Sequence, residues 1–174
     1  YGAKAQAYTD YNVDNLANGD LSDEQKAYGT DGKAITVSDK NLKYTVIDNP
    51  TVKWKSAGLL LDGQATLRFT IQTENINGLA VKAQIGSKTI EILSSQFEKR
   101  TNDTYYVYVR DINVSQMSDE VYLTVYNGEN AVSNTICYSI ESYANSKIDG
   151  GDAILSDLLT LMIKYGNSAK VFAG

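Results

Sequence analysis

TLRFTIQ at residues 66–72 alternates apolar and polar side chains along its whole length. TYYVYVR at 104–110 and EVYLTVYN at 120–127 repeat the pattern. A period of two is the mark of a β-strand with one buried face. The pattern therefore predicts one shared core that contains Leu67, Phe69, Ile71, Val107, Val109, Leu123 and Val125.

The strand period continues on both sides of these segments. LAVKAQI at 79–85 is joined to KTIEIL by Gly86-Ser87, which predicts a hairpin. Short apolar runs separated by Gly, Asn and Asp bring the expected total to about eight or nine strands. Many short strands with such turns are typical of an antiparallel sandwich. We therefore expect a mainly β fold, an antiparallel immunoglobulin-like β-sandwich over residues 34–140.

Helical patterns flank the expected sandwich. In residues 1–33 an alanine-rich start and a capping box predict two short helices. In residues 141–174, IESYANSKI predicts a short helix, and Asp152 predicts the N-cap of a longer one. The longer helix should pack on the sandwich through an apolar stripe. The expected stripe consists of Leu155, Leu158, Met162, Tyr165 and Ala169.

Composition excludes several classes of function. The 174 residues contain no His and a single Cys, Cys137. Ser-His-Asp triads, Cys-His dyads and most zinc sites are therefore excluded, and Cys137 cannot form an internal disulfide. The net charge of -5 argues against nucleic acid as a partner. We expect no enzymatic activity, no cofactor and no metal.

No apolar run approaches the length of a membrane span. The chain begins with Tyr1 and has no basic-then-apolar leader. We expect a soluble piece, excised or processed from a longer protein, that does not insert into a membrane.

Aspartates keep a calcium site open as an alternative. They form an early and a late group, neither with the alternating ligand spacing of a calcium loop. Helix caps and turns are the favoured interpretation of both groups. The aspartates are Asp10, Asp14, Asp20 and Asp23, then Asp149, Asp152 and Asp157.

A tyrosine-rich face is the main candidate for a binding site. If Val107 and Val109 point inward, their neighbours point outward and can be flanked by tyrosines of a paired strand. Tyrosine offers a large contact area at low entropic cost. The alternative is that the C-terminal helix covers these rings with Leu158 and Met162. The candidate binding residues are Tyr106, Tyr108, Arg110, Tyr122 and Tyr126.

Trp54 and Cys137 each allow a structural and a functional interpretation. Trp54 is the only Trp of the chain, and we favour a core anchor over a platform for sugars. Cys137 lies in TICYSI, where a lone Cys is typically a small buried hydrophobic residue.

The two ends of the chain share a pattern. YGAKAQAY at 1–8 and YGNSAKVF at 165–172 both fit YGxxA[KQ]x-aromatic. Chance repetition remains one explanation. The other is a tandem array in which each copy ends a unit, so that residues 1–8 are the tail of a preceding repeat.

The start YGAKAQAYTDYNVDNLAN, the strand LRFTI and the end CYSIESYANSKI...LLTLMIKYGNSA occur in this order along nearly the whole chain. In this the chain resembles a repeat module of large secreted or cell-surface proteins of gut Firmicutes. The resemblance implies an extracellular interaction domain on the bacterial cell surface, adjacent to further repeats. It implies no catalytic motif.

Three functions remain open. The first is an adhesion module that binds a host or partner protein, with immunoglobulins among the candidates, through exposed Tyr-rich strands. The second is a carbohydrate-binding module of a multidomain secreted protein, which predicts a strip of coplanar exposed aromatic rings. The third is a structural spacer repeat, which predicts no aromatic patch.

Overall fold

The computed structural model describes residues 44–45, 47, 49–61, 64–148 and 150–173. Within these residues the fold is mainly β, with two antiparallel sheets and two helices. The helices expected in residues 1–33 and the start of the sandwich expected at residue 34 lie outside the described residues. The division into three segments stays a prediction.

The two sheets are a six-stranded and a four-stranded one. The strands are, in chain order, β1 (Tyr44–Thr45), β2 (Lys53–Leu61), β3 (Ala65–Gln72), β4 (Leu79–Ile85), β5 (Lys88–Leu93), β6 (Glu98–Lys99), β7 (Thr104–Val109), β8 (Val121–Asn127), β9 (Asn130–Ala131) and β10 (Thr135–Tyr138). The six-stranded sheet has the order β1-β10-β8-β4-β5, with β9 paired to β8. The four-stranded sheet has the order β2-β3-β7-β6.

The core lies between the inward faces of the two sheets. All seven residues that the strand period assigned to the core are buried and belong to one apolar cluster. Phe69 lies at its centre, with edge-to-face contacts to the rings of Trp54 and Tyr138 at centroid distances of 5.8 and 5.9 Å. The expected hairpin is also present, since β4 and β5 pair across Gly86, which has a φ of 55°.

The pairing predicted between the two tyrosine-bearing strands is wrong. β7 pairs with β3 and β6, whereas β8 pairs with β4, β9 and β10 in the other sheet. The connection from Arg110 to Glu120 crosses from one sheet to the other and contains a 3-10 turn at Val114–Gln116. It is too long for a hairpin, whose loops usually have 2–5 residues.

Two helices follow the last strand, α1 (Ile140–Ile148) and α2 (Ala153–Ala173). As predicted, Asp152 caps α2, because its Oδ1 accepts a hydrogen bond from the backbone N–H of Leu155 at 3.0 Å. α2 packs against α1 and the Val114–Gln116 turn. Neither helix is long and apolar enough to span a membrane.

The buried stripe of α2 differs from the predicted one. Its buried residues are Leu158, Leu159, Met162, Ile163 and Gly166. Tyr165 was wrongly placed in the stripe, since 51% of it is exposed. The 3.6-residue period brings the pairs 158/159 and 162/163 to one side, and position 166 rather than 165 continues that side.

Gly166 of α2 packs closely against the Val114–Gln116 turn and Met117. A Cβ at this position would lie 3.0 Å from the backbone O of Val114 and 3.1 Å from the Cβ of Met117. Both distances are tighter than an ordinary Cβ contact, so a larger residue here would force the helix and the turn apart by a few tenths of an ångström. The shared YG pattern therefore has a packing role in its second copy.

Candidate binding face

The outward side of the four-stranded sheet carries a cluster of tyrosines and arginines. Arg68 of β3 lies over the ring of Tyr106 at 4.7 Å, and Arg100, just after β6, approaches the same ring at 5.4 Å. Arg110, just after β7, lies over the ring of Tyr108 at 4.9 Å. These five residues are called the Arg–Tyr cluster below. The strand register brings them together, since Arg68 is directly opposite Tyr108.

Glu98 closes the cluster on the β6 side. Its Oε2 accepts a hydrogen bond from the hydroxyl of Tyr108 at 2.6 Å. Burial and this hydrogen bond raise the pKa of Tyr108 to about 12. The hydroxyl therefore stays protonated around neutral pH and remains a donor to Glu98, which holds the ring of Tyr108 in place.

Tyr122 and Tyr126 lie on the opposite side of the molecule. They are on the outward face of β8, in the six-stranded sheet. Tyr122 is 40% exposed, and its hydroxyl donates a hydrogen bond to Glu120 that raises its pKa to about 12. Tyr126 lies beneath Lys82, whose Nζ is 4.8 Å from the ring centroid. The five predicted binding residues therefore form two separate groups.

The C-terminal helix provides core residues rather than a lid over the cluster. Met162 is fully buried in the same apolar cluster as Phe69 and Val107, and Leu158 is also buried. Tyr106 and Tyr108 are instead partly covered by the arginine side chains. The two rings are 6.2 Å apart and tilted by 51°, so they are not coplanar.

Trp54 and Cys137 have structural positions. The ring of Trp54 packs on Phe69, and its Nε1 donates a hydrogen bond to the backbone O of Asn134 at 2.8 Å. Cys137 is buried in β10, directly opposite Tyr122. The favoured interpretations of both residues agree with these positions.

A polar cleft of about 590 Å³ lies at one end of the sheets, where β3 ends and β7 begins. The Oδ2 of Asp103 accepts a hydrogen bond from Nε2 of Gln72 at 2.5 Å, and its backbone O accepts one from Thr73 N at 2.9 Å. The cleft is also lined by Lys53, Glu74, Asn75, Asn77 and Asn127. The helices lie at the other end of the sheets, since α1 follows β10 and α2 packs on the turn that follows β7.

The late group of aspartates contains a helix cap. Asp152 is bonded to the first turn of α2, as described above. Among the described residues, no three acidic or Cys side chains form a group that could hold a metal ion. Asp149 and the early aspartates lie outside the described residues.

Substitution of Asp152 separates a cap from a metal ligand. We expect Asp152→Ala to lower the free energy of unfolding by about 0.5–2 kcal/mol, because the Leu155 N–H loses its acceptor. Asp152→Asn keeps an acceptor and should retain most of the stability. Urea denaturation measures both variants, and thermal melts of the unmodified chain with and without EDTA should coincide. A lower melting temperature in EDTA would instead support the calcium alternative.

No family model, curated protein or solved structure matches the chain. The resemblance to a repeat module of surface proteins therefore stays a prediction.

Two members of the Arg–Tyr cluster, Arg68 and Arg100, were not predicted from the sequence. Arg68 is one of the polar residues of TLRFTIQ, whose alternation gives its side of the strand but no partner. Arg100 lies just after a strand of two residues that no period identifies. One signal was available in the sequence. The chain has only three arginines, and all three belong to this cluster.

Proposed function

We propose that the chain is a non-catalytic binding module and that the Arg–Tyr cluster is the centre of its binding surface for a partner protein. The observation that carries this proposal is the convergence of every arginine of the chain on Tyr106 and Tyr108. Tyr and Arg are the residues most enriched, with Trp, among those that dominate protein interfaces. Here they are brought together from three elements of one sheet.

The strand order supports an immunoglobulin-like sandwich as the scaffold. In such domains strands A, B, E and D form one sheet, and G, F and C form the other. The strands β2, β3, β7 and β6 take the places of A, B, E and D, and β10, β8 and β4 take those of G, F and C. The order of these strands along the chain then matches A to G, with β5 added beside β4. Cys137, the single Cys, leaves this scaffold without the inter-sheet disulfide of antibody domains.

The proposed setting is a repeat on the bacterial cell surface. It rests on the resemblance and on the octapeptide pattern shared by the two ends. The second copy ends with Val171 and Phe172, which are 84% and 95% exposed. Two apolar side chains at the end of a helix are suited to contact a neighbouring repeat, and repetition would multiply weak contacts with a partner.

Carbohydrate binding is the second candidate, and the polar cleft favours it over the aromatic face. Amide, hydroxyl and carboxyl side chains line a volume within the usual range of small-molecule sites, about 300–1,000 Å³. The Arg–Tyr cluster is a poor sugar platform, because its rings are tilted and arginines lie over them. A spacer repeat would have no need of such a cluster.

Tyrosine substitutions on the two sheets provide matched variants for a test. The double variant Tyr106→Ala/Tyr108→Ala disrupts the cluster, and Tyr122→Ala/Tyr126→Ala removes the same side chains from the opposite face. Each chain is immobilised and exposed to purified immunoglobulin G, to serum and mucosal proteins, and to a glycan array. Circular dichroism establishes that each variant is folded.

We expect the unmodified chain and the Tyr122/Tyr126 variant to retain the same partner protein, and the Tyr106/Tyr108 variant to lose it. Retention of that protein by all three chains would show that the cluster is not the binding surface. Glycans bound in the absence of any protein would favour the carbohydrate-binding alternative. No ligand in either assay would favour a spacer.

A further inference from the structure

The Arg–Tyr cluster concentrates positive charge on one face of an acidic chain. The chain has a net charge of -5, yet its three arginines lie on one face. They come from β3, from the segment after β6 and from the segment after β7, so the sheet register assembles them. Arg100 and Arg110 are exposed and Arg68 is partly exposed. The face is thus locally basic.

The stacked geometry prepares the arginines to bind carboxylates. A guanidinium that lies over an aromatic ring is partly desolvated and restricted in its motion. Its N–H groups lie in the plane of the guanidinium, in the fork geometry that matches the two oxygens of a carboxylate. Because part of the ordering cost is met before binding, each arginine loses less freedom when a carboxylate arrives.

The charge of the arginines is available for a ligand. Within the described residues no arginine is in a salt bridge. Glu98 is the carboxylate nearest to the rings along the strand register, and it accepts a hydrogen bond from the hydroxyl of Tyr108. Glu98 therefore positions the aromatic platform and leaves the arginines as the outward-facing donors.

We propose that the Arg–Tyr cluster binds an acidic peptide segment of a partner protein, with Arg68, Arg100 and Arg110 contacting its carboxylates and Tyr106 and Tyr108 contacting its apolar side chains. This inference rests on the proposed function. A peptide offers both carboxylates and apolar groups, which matches a surface that alternates guanidinium and phenol. A highly sulfated glycan would match a denser basic surface, and the Arg–Tyr cluster has three arginines beside one glutamate.

The test uses the full chain and two fluorescently labelled peptides of equal length, an oligoglutamate and an oligoglutamine. Fluorescence anisotropy measures binding of each peptide to three triple variants. Arg68→Gln/Arg100→Gln/Arg110→Gln removes the charges of the cluster, and Arg68→Lys/Arg100→Lys/Arg110→Lys keeps the charges but removes the forks. Lys82→Gln/Lys88→Gln/Lys147→Gln is the matched control, because it removes three exposed charges elsewhere.

We expect the oligoglutamate to bind more tightly than the oligoglutamine and to bind more weakly as salt is raised. Both arginine variants should weaken its binding by about tenfold or more, since fork and charge both contribute. The control variant Lys82→Gln/Lys88→Gln/Lys147→Gln should bind within about twofold of the unmodified chain. Circular dichroism and thermal melts establish that all variants are folded.

An equal loss of affinity in the Lys82→Gln/Lys88→Gln/Lys147→Gln control would overturn the proposal, because binding would then follow the net charge of the chain rather than the Arg–Tyr cluster. Tighter binding of a sulfated oligosaccharide than of oligoglutamate would overturn the choice of a peptide. If Tyr106→Ala/Tyr108→Ala abolishes capture of a partner protein but oligoglutamate does not bind, the proposed function stands and this inference fails. If neither probe distinguishes the variants, both fail.

Discussion

Phe69→Ala is expected to lower the free energy of unfolding by about 3–5 kcal/mol, the range observed when a buried aromatic side chain is replaced by alanine. Phe69 is fully buried on the inward face of β3. It lies between Trp54 and Tyr138, with interplanar angles of 73° and 79°. Removal of the ring loses two edge-to-face contacts and leaves a cavity between the sheets. Urea denaturation followed by circular dichroism measures the loss.

Phe172→Ala is the matched control, because it makes the same chemical change at a position that is 95% exposed. We expect it to change stability by less than about 0.5 kcal/mol. A loss under about 1 kcal/mol for Phe69→Ala would mean that the ring does not fill the core in solution. A similar loss in both variants would contradict the contrast between a buried Phe69 and an exposed Phe172.

The inward faces of the strands could be predicted from sequence because the apolar side chains follow a period of two. Leu67, Phe69 and Ile71 occupy alternate positions, and hydrophobic burial forces such residues to one side of a strand. The cap at Asp152 was also predictable, because an N-cap is a local interaction. These features depend on neighbours in the chain and on no distant partner.

The Arg–Tyr cluster could not be predicted in the same way, because it depends on register between distant strands. Arg68 and Tyr108 are neighbours only because β3 and β7 pair in one particular alignment. The strand period gives the face of each residue but not the identity of the paired strand. The error over Tyr122 and Tyr126 has the same origin, since two strands adjacent in sequence belong to different sheets.

The face of α2 was predicted only in part, because several apolar stripes fit its sequence. Leu158 and Met162 fit both the predicted stripe and the observed one. The choice between Tyr165 and Gly166 depends on the Val114–Gln116 turn, which leaves little room for a side chain at position 166. A tight contact with a distant turn is not encoded in helical period, so the rotation of the helix was missed.

Removal of residues 154–174 is expected to abolish cooperative folding. It would take away Leu158, Leu159, Met162 and Ile163, all essentially fully buried. At about 1.5–3 kcal/mol for each buried side chain, the loss is about 6–12 kcal/mol. That is comparable to the whole stability of a typical domain, about 5–15 kcal/mol. Apolar residues beneath the helix, including Met117 and Ala144, would also be exposed to water.

Removal of residues 171–174 tests whether the loss comes from the buried stripe rather than from shortening the helix. Val171 and Phe172 make little contact with the rest of the chain, so this deletion should cost less than about 1 kcal/mol. Thermal melts by circular dichroism compare the two truncated chains with the full one. Cooperative melting without residues 154–174 would show that the two sheets fold alone and that α2 is an appendage. A large loss from the short deletion would show that the exposed end of α2 has a contact within the chain, and its proposed role toward a neighbouring repeat would then have to be abandoned.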